Sequence, residues 1–203
     1  MNTHTPGPQG WAEGVCAAGL SETARAGLET FIQLVARYDR ALDLVGPGSR
    51  GASLREHALE ALAALPLLPT EGRVVDVGSG NGLPIVPLLL ARPLLEGVLL
   101  EPRERRWAFL KEIIRELGLT ADVRRERVEV HRGSEYDAMT VRALAPRVWG
   151  GAAARLVKVG GVVAWWCGAD AVAPALTRFG PVVTSPLPLP GRGSIAVWAR
   201  CFT

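Results

Sequence analysis

The chain has 203 residues, a formal net charge of +3, and 48% hydrophobic but only 6% aromatic composition, enough apolar material for one domain with an appendage. No apolar run approaches the roughly 18–20 residues that span a bilayer, and residues 1–10 lack the apolar centre of a signal peptide, so a soluble, cytoplasmic protein is expected; a monomer is expected as well. Cys16, Cys167 and Cys201 lie far apart and His4, His57 and His131 add no cluster; neither a disulfide framework nor metal-dependent catalysis is expected.

Charge is unevenly spread. Residues 1–102 carry 7 basic and 11 acidic side chains, a balance of −4, whereas residues 103–203 carry 16 and 9, a balance of +7. Lys111 and Lys158 are the only lysines. Arginine's planar fork pairs with phosphate and stacks on bases, which makes the basic half compatible with a nucleic-acid substrate; a solvated charged face is the other reading.

In chain order, residues 1–20 are rich in Gly, Pro and Ala without periodicity and read as a loose tail. From Ser21, Leu28, Phe31, Ile32, Val35, Tyr38 and Leu42 recur at helical spacing until Gly46-Pro47-Gly48. Ser53 and Glu56 form a capping box for a second helix with the stripe Leu54, Ala58, Leu62 and Leu65, closed by Pro66 and Pro69. Residues 21–70 are therefore expected to be a helical cap, and residues 71–203 one further unit.

Alternation of strands and helices follows, the pattern of a parallel sheet covered on both faces. Strands are expected at about 73–77, 97–101, 123–130, 138–144, 161–166, 181–189 and 195–201, and helices at 83–91, 103–117, 146–157 and 174–179. Only Pro190-Gly191-Arg192-Gly193 separates the last two strands, which implies a hairpin and one antiparallel strand in an otherwise parallel sheet. The expectation is an α/β, Rossmann-like class I methyltransferase architecture, a mostly parallel seven-stranded sheet plus the N-terminal cap, rather than a dehydrogenase.

The ligand signal lies in Val74-Val75-Asp76-Val77-Gly78-Ser79-Gly80-Asn81-Gly82-Leu83-Pro84, a strand running into a glycine-rich turn and then a helix. Glycines at 78, 80 and 82 allow positive φ and close approach of a ligand. Their spacing is G-x-G-x-G, against the G-x-G-x-x-G of dinucleotide folds, which weakens a nicotinamide or flavin reading. S-adenosyl-L-methionine carries a sulfonium, an ammonium, a carboxylate and a ribose diol, so its site calls for carboxylates at strand ends and free backbone amides. Asp76 stands where it holds the turn or faces the cationic end, and Glu101, 23 residues after Gly78, stands near where an acidic side chain accepts ribose hydroxyls.

The order Asp76 to Pro84, then Glu101 with Arg105-Arg106 and Phe109-Leu110, then Arg127-Val128-Glu129, then Val141-Arg142-Ala143 resembles the bacterial 16S ribosomal RNA guanine-N7 methyltransferases, the glucose-inhibited division protein B family, over about residues 28–200. The resemblance implies transfer of a methyl group from S-adenosyl-L-methionine to guanine N7 in the small ribosomal subunit. It implies that Gly78 and Leu83, with Ser79, Gly80 and Gly82 in the same loop, line the methionine part, that Val128 and Glu129 bracket the adenine, and that Arg142 completes the site. His57 and Arg192 enter as substrate-side residues by the same carry-over. The family's Lys-His-x-x-Asp-Ser-Leu segment corresponds to Glu56-His57-Ala58-Leu59-Glu60-Ala61-Leu62, with Glu60 for the aspartate.

Two departures stand out. Cys167-Gly168 replaces the family's Lys-Gly pair, removing a phosphate-binding charge, and Asp43-Leu44-Val45 replaces an Asn-Leu-Thr segment. An acceptor that is a small molecule or protein, and a non-catalytic relative that binds cofactor or ribosome, stay as alternatives. Guanine N7 has a free lone pair, so the expected mechanism is positioning, with no catalytic acid or base. Arg142 pairing with Asp76 or Asp137, and Cys167 as inert packing, are the structural readings of those residues.

Overall fold

Four successive residues of Glu71–Val77 (β1), from Val74 to Val77, point into the interior, as a strand covered on both faces requires. The computed structural model describes residues 13–16, 18–42, 44, 54–188 and 192–201. The expected tail residues 1–12, the Gly46-Pro47-Gly48 turn, the Ser53 cap, Asp43 and Val45, and Pro190-Gly191 lie outside the described residues.

Glu22–Leu42 (α1) opens on Ser21, whose Oγ accepts from the Ala24 amide at 3.2 Å, a side-chain cap of a free helical N–H. Leu54–Leu62 (α2) follows, then a 3-10 turn at Leu65–Leu67 around Pro66. Beyond β1 come Ile85–Ala91 (α3), Leu94–Leu100 (β2), Glu104–Glu116 (α4), Ala121–Arg124 (β3), Tyr136–Arg142 (β4), Pro146–Leu156 (α5), Val157–Cys167 (β5), Val183–Pro186 (β6) and Ser194–Ala199 (β7).

The seven strands form one sheet in the order β3-β2-β1-β4-β5-β7-β6. β1, β2, β3, β4 and β5 pair in parallel, and β7 runs antiparallel to both β5 and β6, so the terminal hairpin expected from the short link is present. Strand order reverses between β1 and β4, and in open α/β sheets ligands bind beyond the carboxyl ends of strands at that point. There the glycine turn 78–82, Glu101 and Arg142 come together.

Side chains alternate between two cores. Val74, on one face, packs with Leu28, Phe31, Ala58, Ile85 and Leu110 from α1, α2, α3 and α4. Val75 and Val77, on the other, join Tyr136, Trp149, Trp165 and Trp198, where the Trp149 ring lies 5.7 Å from Trp165 and 5.9 Å from Trp198. The cap helices thus share a core with the sheet, each buried aliphatic side chain contributing about 1.5–3 kcal/mol.

Three sequence expectations are corrected. The tail expected over residues 1–20 is not loose where it is described, since residues 13–16 are helical and Val15 and Leu20 join the buried core. The third strand ends at Arg124 rather than 130: the amides of Val130 and His131 both bond back to Arg127 O, at 3.2 and 3.3 Å, in a turn, while the Val128 side chain is drawn into the tryptophan core. Residues 174–179 form no helix. They lie between Pro174 and Pro181, too short to repay helix nucleation, and Pro174 O instead accepts from Trp198 Nε1 at 3.1 Å.

Candidate functional site

Gly78, Gly80 and Gly82 have φ of +74°, +55° and +92°, the left-handed region that glycine enters without steric cost. A Cβ on Gly78 would lie 2.6 Å from Leu144 Cδ1, so the turn closes tightly on the segment after β4. At Gly82 the crowding comes from Val86 at 2.9 Å and Phe31 at 3.1 Å; this glycine lets α1 and α3 approach.

Five of the six amides from Gly78 to Leu83, all but that of Asn81, are bonded within the protein, against the expectation of free ones. Gly78 N and Ser79 N both donate to Leu100 O at 2.9 and 3.1 Å, Gly82 N donates to Ser79 O at 2.7 Å, Gly80 N to Glu101 Oε2 at 3.0 Å, and Leu83 N to Asn81 Oδ1 at 3.2 Å. Pro84 and Pro87, which flank and enter the first turn of α3, have no N–H at all. A pyrophosphate needs free amides at a helix N-terminus, and this turn withholds them.

Two cavities adjoin at the turn, sharing Gly78, Arg106, Arg142 and Ala143. The smaller, about 250 Å³, runs along the turn to Leu44 and His57; the larger, about 500 Å³, reaches Glu101, Pro102 and the loop 126–129. Glu101 is 4% exposed. Its Oε2 takes the Gly80 amide and its Oε1 the Arg103 amide at 2.8 Å, which leaves each oxygen a further lone pair for a ligand's hydroxyls. Ala143, on both cavity walls, holds φ +57°, a conformation that costs a non-glycine residue about 1–3 kcal/mol and collects at functional sites.

Of the residues singled out in the sequence, Gly78, Ser79, Gly80 and Leu83 line the smaller cavity with His57, Glu101, Val128 and Glu129 line the larger, and Arg142 lines both. Asp76 and Gly82 lie behind the walls. Asp76 is 1% exposed; its Oδ1 accepts from Thr140 Oγ1, its cross-strand neighbour, at 2.6 Å, and its Oδ2 is buried without a partner. Burial, helped by the charge of Glu101, pushes its pKa up to about 6 against the pull of the Thr140 and Ser79 hydrogen bonds.

Arg142 pairs with neither Asp76 nor Asp137. Asp137, at the start of β4, is occupied by Lys158 and the Arg73 amide, and Arg142, at the end of β4, turns toward the cap. It donates to Glu60 Oε2 at 2.5 Å and to the His57 carbonyl at 3.3 Å. Arg192 Nε lies 2.9 Å from Glu60 Oε1, so one carboxylate holds two guanidiniums, and His57 Nδ1 sits 2.7 and 3.0 Å from them. Burial would push the Glu60 pKa up, but His57 and Arg142 outweigh it and hold it down at about 2. Arg192 itself does not line either cavity; it reaches the site through Glu60 and His57.

Sequence reasoning treated Glu60 only as a substituted position, gave Arg106 a place in a motif but no role, and passed over Thr140 and Glu126. Glu60 was within reach: it follows His57 by three residues on one helical face. Thr140 carried no local signal, since its partner is 64 residues away; Glu126 meets His131, five residues on, only because the loop turns back on itself.

The chain is similar to known proteins in sequence and in fold. A family model described as rRNA small subunit methyltransferase G, GidB, matches residues 24–172. The chain is 40% identical over 121 residues to the Ribosomal RNA small subunit methyltransferase G of Mycobacterium leprae (strain TN), covering 58% of this chain and 49% of the relative. Against the protein of that name from Nocardioides sp. (strain ATCC BAA-499 / JS614) it is 37% identical over 157 residues, covering 75% and 62%. The chain thus spans about half the length of the curated relatives it matches. Among solved structures, the tRNA (m1A58) methyltransferase TrmI from Aquifex aeolicus superposes with a TM-score of 0.55 at 14% identity, over 71% of this chain and 68% of that one; at that identity the likeness is one of fold.

Proposed function

The chain belongs to the rRNA small subunit methyltransferase G family, and from that premise we propose that it is an S-adenosyl-L-methionine-dependent methyltransferase acting in the cytoplasm, as a monomer, on guanine N7 of 16S rRNA in the small ribosomal subunit. The observation that carries this reading is the trough that runs from the glycine turn to Glu101, a buried carboxylate at the end of β2 whose two oxygens each keep a lone pair for a ribose diol. The glycine turn, most of whose amides are already bonded within the protein, offers little to a pyrophosphate and disfavours a dinucleotide.

The residues present fit that cofactor. Glu101 keeps acceptor capacity for a ribose diol, Gly78, Ser79, Gly80 and Leu83 frame room for a methionine chain, and Val128 and Glu129 stand at the far end for the adenine. When bound, the cofactor supplies an electrophilic methyl on a sulfonium. Arg142 and His57, on the wall between turn and cap, orient the approaching base, and Glu60 fixes both from behind. Asp76 acts one layer deeper, where it supports the turn. Because the acceptor nitrogen arrives unprotonated, no side chain needs to remove a proton, and positioning alone accounts for about 7–11 kcal/mol of barrier lowering.

Exposed arginines on the cavity rim, Arg103 and Arg127, stand in for the phosphate contact that Cys167 cannot make. Cys167 is buried, its Sγ 3.3 Å from Ser194 O, as inert packing is. Among the described residues no helix is long and apolar enough to cross a membrane. To test the reading, the purified chain is incubated with methyl-labelled cofactor and small subunits lacking the modification: label in 16S rRNA is expected, and label absent from rRNA but present in a protein or small molecule would replace this acceptor with another.

A further inference from the structure

His131 plays no part in that chemistry and lines neither cavity, yet its side chain is fully enclosed and every polar atom of its ring is used. Nδ1 lies 2.6 Å from Glu126 Oε1 and Nε2 2.8 Å from the Tyr136 hydroxyl. An ionised carboxylate can only accept, so the network assigns the ring proton to Nδ1, and the tyrosine donates to Nε2. Tyr136 is anchored in turn: its ring is 1% exposed and stacks under the Arg73 guanidinium at 4.7 Å. Gly133 completes the fit, since a Cβ there would collide with both His131 Nε2 and the Tyr136 hydroxyl.

The same loop is held from a second side. Arg155 of α5 donates to the carbonyls of His131 at 2.5 Å and Val128 at 3.0 Å, while the Val128 side chain is buried in the tryptophan core. The loop between β3 and β4 is thereby clamped at the Glu126 carboxylate, at the Val128 and His131 carbonyls and at the Val128 side chain. What it presents to the larger cavity is the run Glu126, Arg127, Val128 and Glu129.

Resting on the reading that this end of the trough takes the cofactor's adenine, we propose that His131 and Arg155 are positioning residues that fix the loop 126–131 and thereby set the nucleobase selectivity of the site. They hold a wall bearing the Glu126 carboxylate, an acceptor that suits an exocyclic amino group. A base with a carbonyl at that position meets it oxygen to oxygen, and a buried polar mismatch of that kind is discriminated strongly.

The test compares binding of S-adenosylhomocysteine and S-inosylhomocysteine, which differ at that exocyclic group, to the full chain and to Arg155→Ala and His131→Gln. Wild type is expected to prefer the adenosyl compound at least tenfold. Both variants should bind it at least tenfold more weakly and lose most of the preference. Arg155 is exposed on its helix, so Arg155→Ala carries the test if His131→Gln fails to fold. A lowered melting temperature with an unchanged preference would overturn the proposal and leave these residues a structural role. Wild-type protein that binds neither nucleoside would remove the cofactor reading itself, and the inference with it.

Discussion

Glu60 and Asp76 are both carboxylates buried to about 1% exposure behind the same trough, and they have gone opposite ways. Two guanidiniums and an imidazole surround Glu60 and hold its pKa at about 2; Asp76 has hydroxyl partners and one oxygen with no partner, and burial pushes it up to about 6. Burial penalises charge in both, so the partners decide. On the cap side the carboxylate is a permanent anion that organises Arg142 and Arg192. Under the glycine turn it is a group near its titration point that weakens the fold when charged.

The largest break in that contrast comes from Glu60→Ala. It strands two partly buried guanidiniums, and removing one member of a buried pair costs about 3–5 kcal/mol; urea unfolding at pH 7 measures it, and a loss under 1 kcal/mol would show the cluster to be slack.

The next largest effect is in pH. Glu60, with its folded pKa below the ordinary 4.5, contributes stability present above about pH 4.5 and lost as the pH falls toward 2. Asp76, with its folded pKa above 3.8, contributes stability fully present below about pH 3.8 and lost as the pH rises through 6. Each amounts to about 3 kcal/mol. The difference in unfolding free energy between wild type and Asp76→Asn should therefore move against wild type between pH 4 and 7, and that between wild type and Glu60→Gln in its favour from pH 2 to 5. Parallel pH curves for all three proteins would refute the contrast.

Gly78→Ala sharpens the turn's role. The added methyl meets Leu144 at 2.6 Å with φ at +74°, a strain and overpacking of about 1–3 kcal/mol, and S-adenosylhomocysteine binding should be lost; unchanged affinity would move the ligand away from the turn. Smallest is Arg142→Ala, expected to cut cofactor affinity or methyl transfer at least tenfold, about 1.4 kcal/mol. Wild-type values in both assays would leave Arg142 as a strut of the cap.

Much of this was legible in the residues. The strand-turn-helix at 74–91 and the hairpin at 183–199 followed from apolar runs and from a link too short for a helix, signals that stay within a few residues of where they act. The loop 125–131 was misread because its charges alternate with valines like an edge strand, while what bends it is Arg155, 24 residues away. The 174–179 helix failed for a similar reason: local propensity there yields to Trp198. In the site, glycines and strand-end acids announced themselves by type and position. The Glu60 cluster did not, since α2, β4 and the last hairpin meet only in the folded chain.

The proposed site stands on the trough beyond β1, β2 and β4 receiving an adenosyl sulfonium rather than a dinucleotide. Titration calorimetry of the full chain with S-adenosylhomocysteine and, separately, with NAD tests it most directly. Saturable one-to-one binding of S-adenosylhomocysteine, with none for NAD, is the predicted result; no heat with S-adenosylhomocysteine, or tighter binding of NAD, would contradict it.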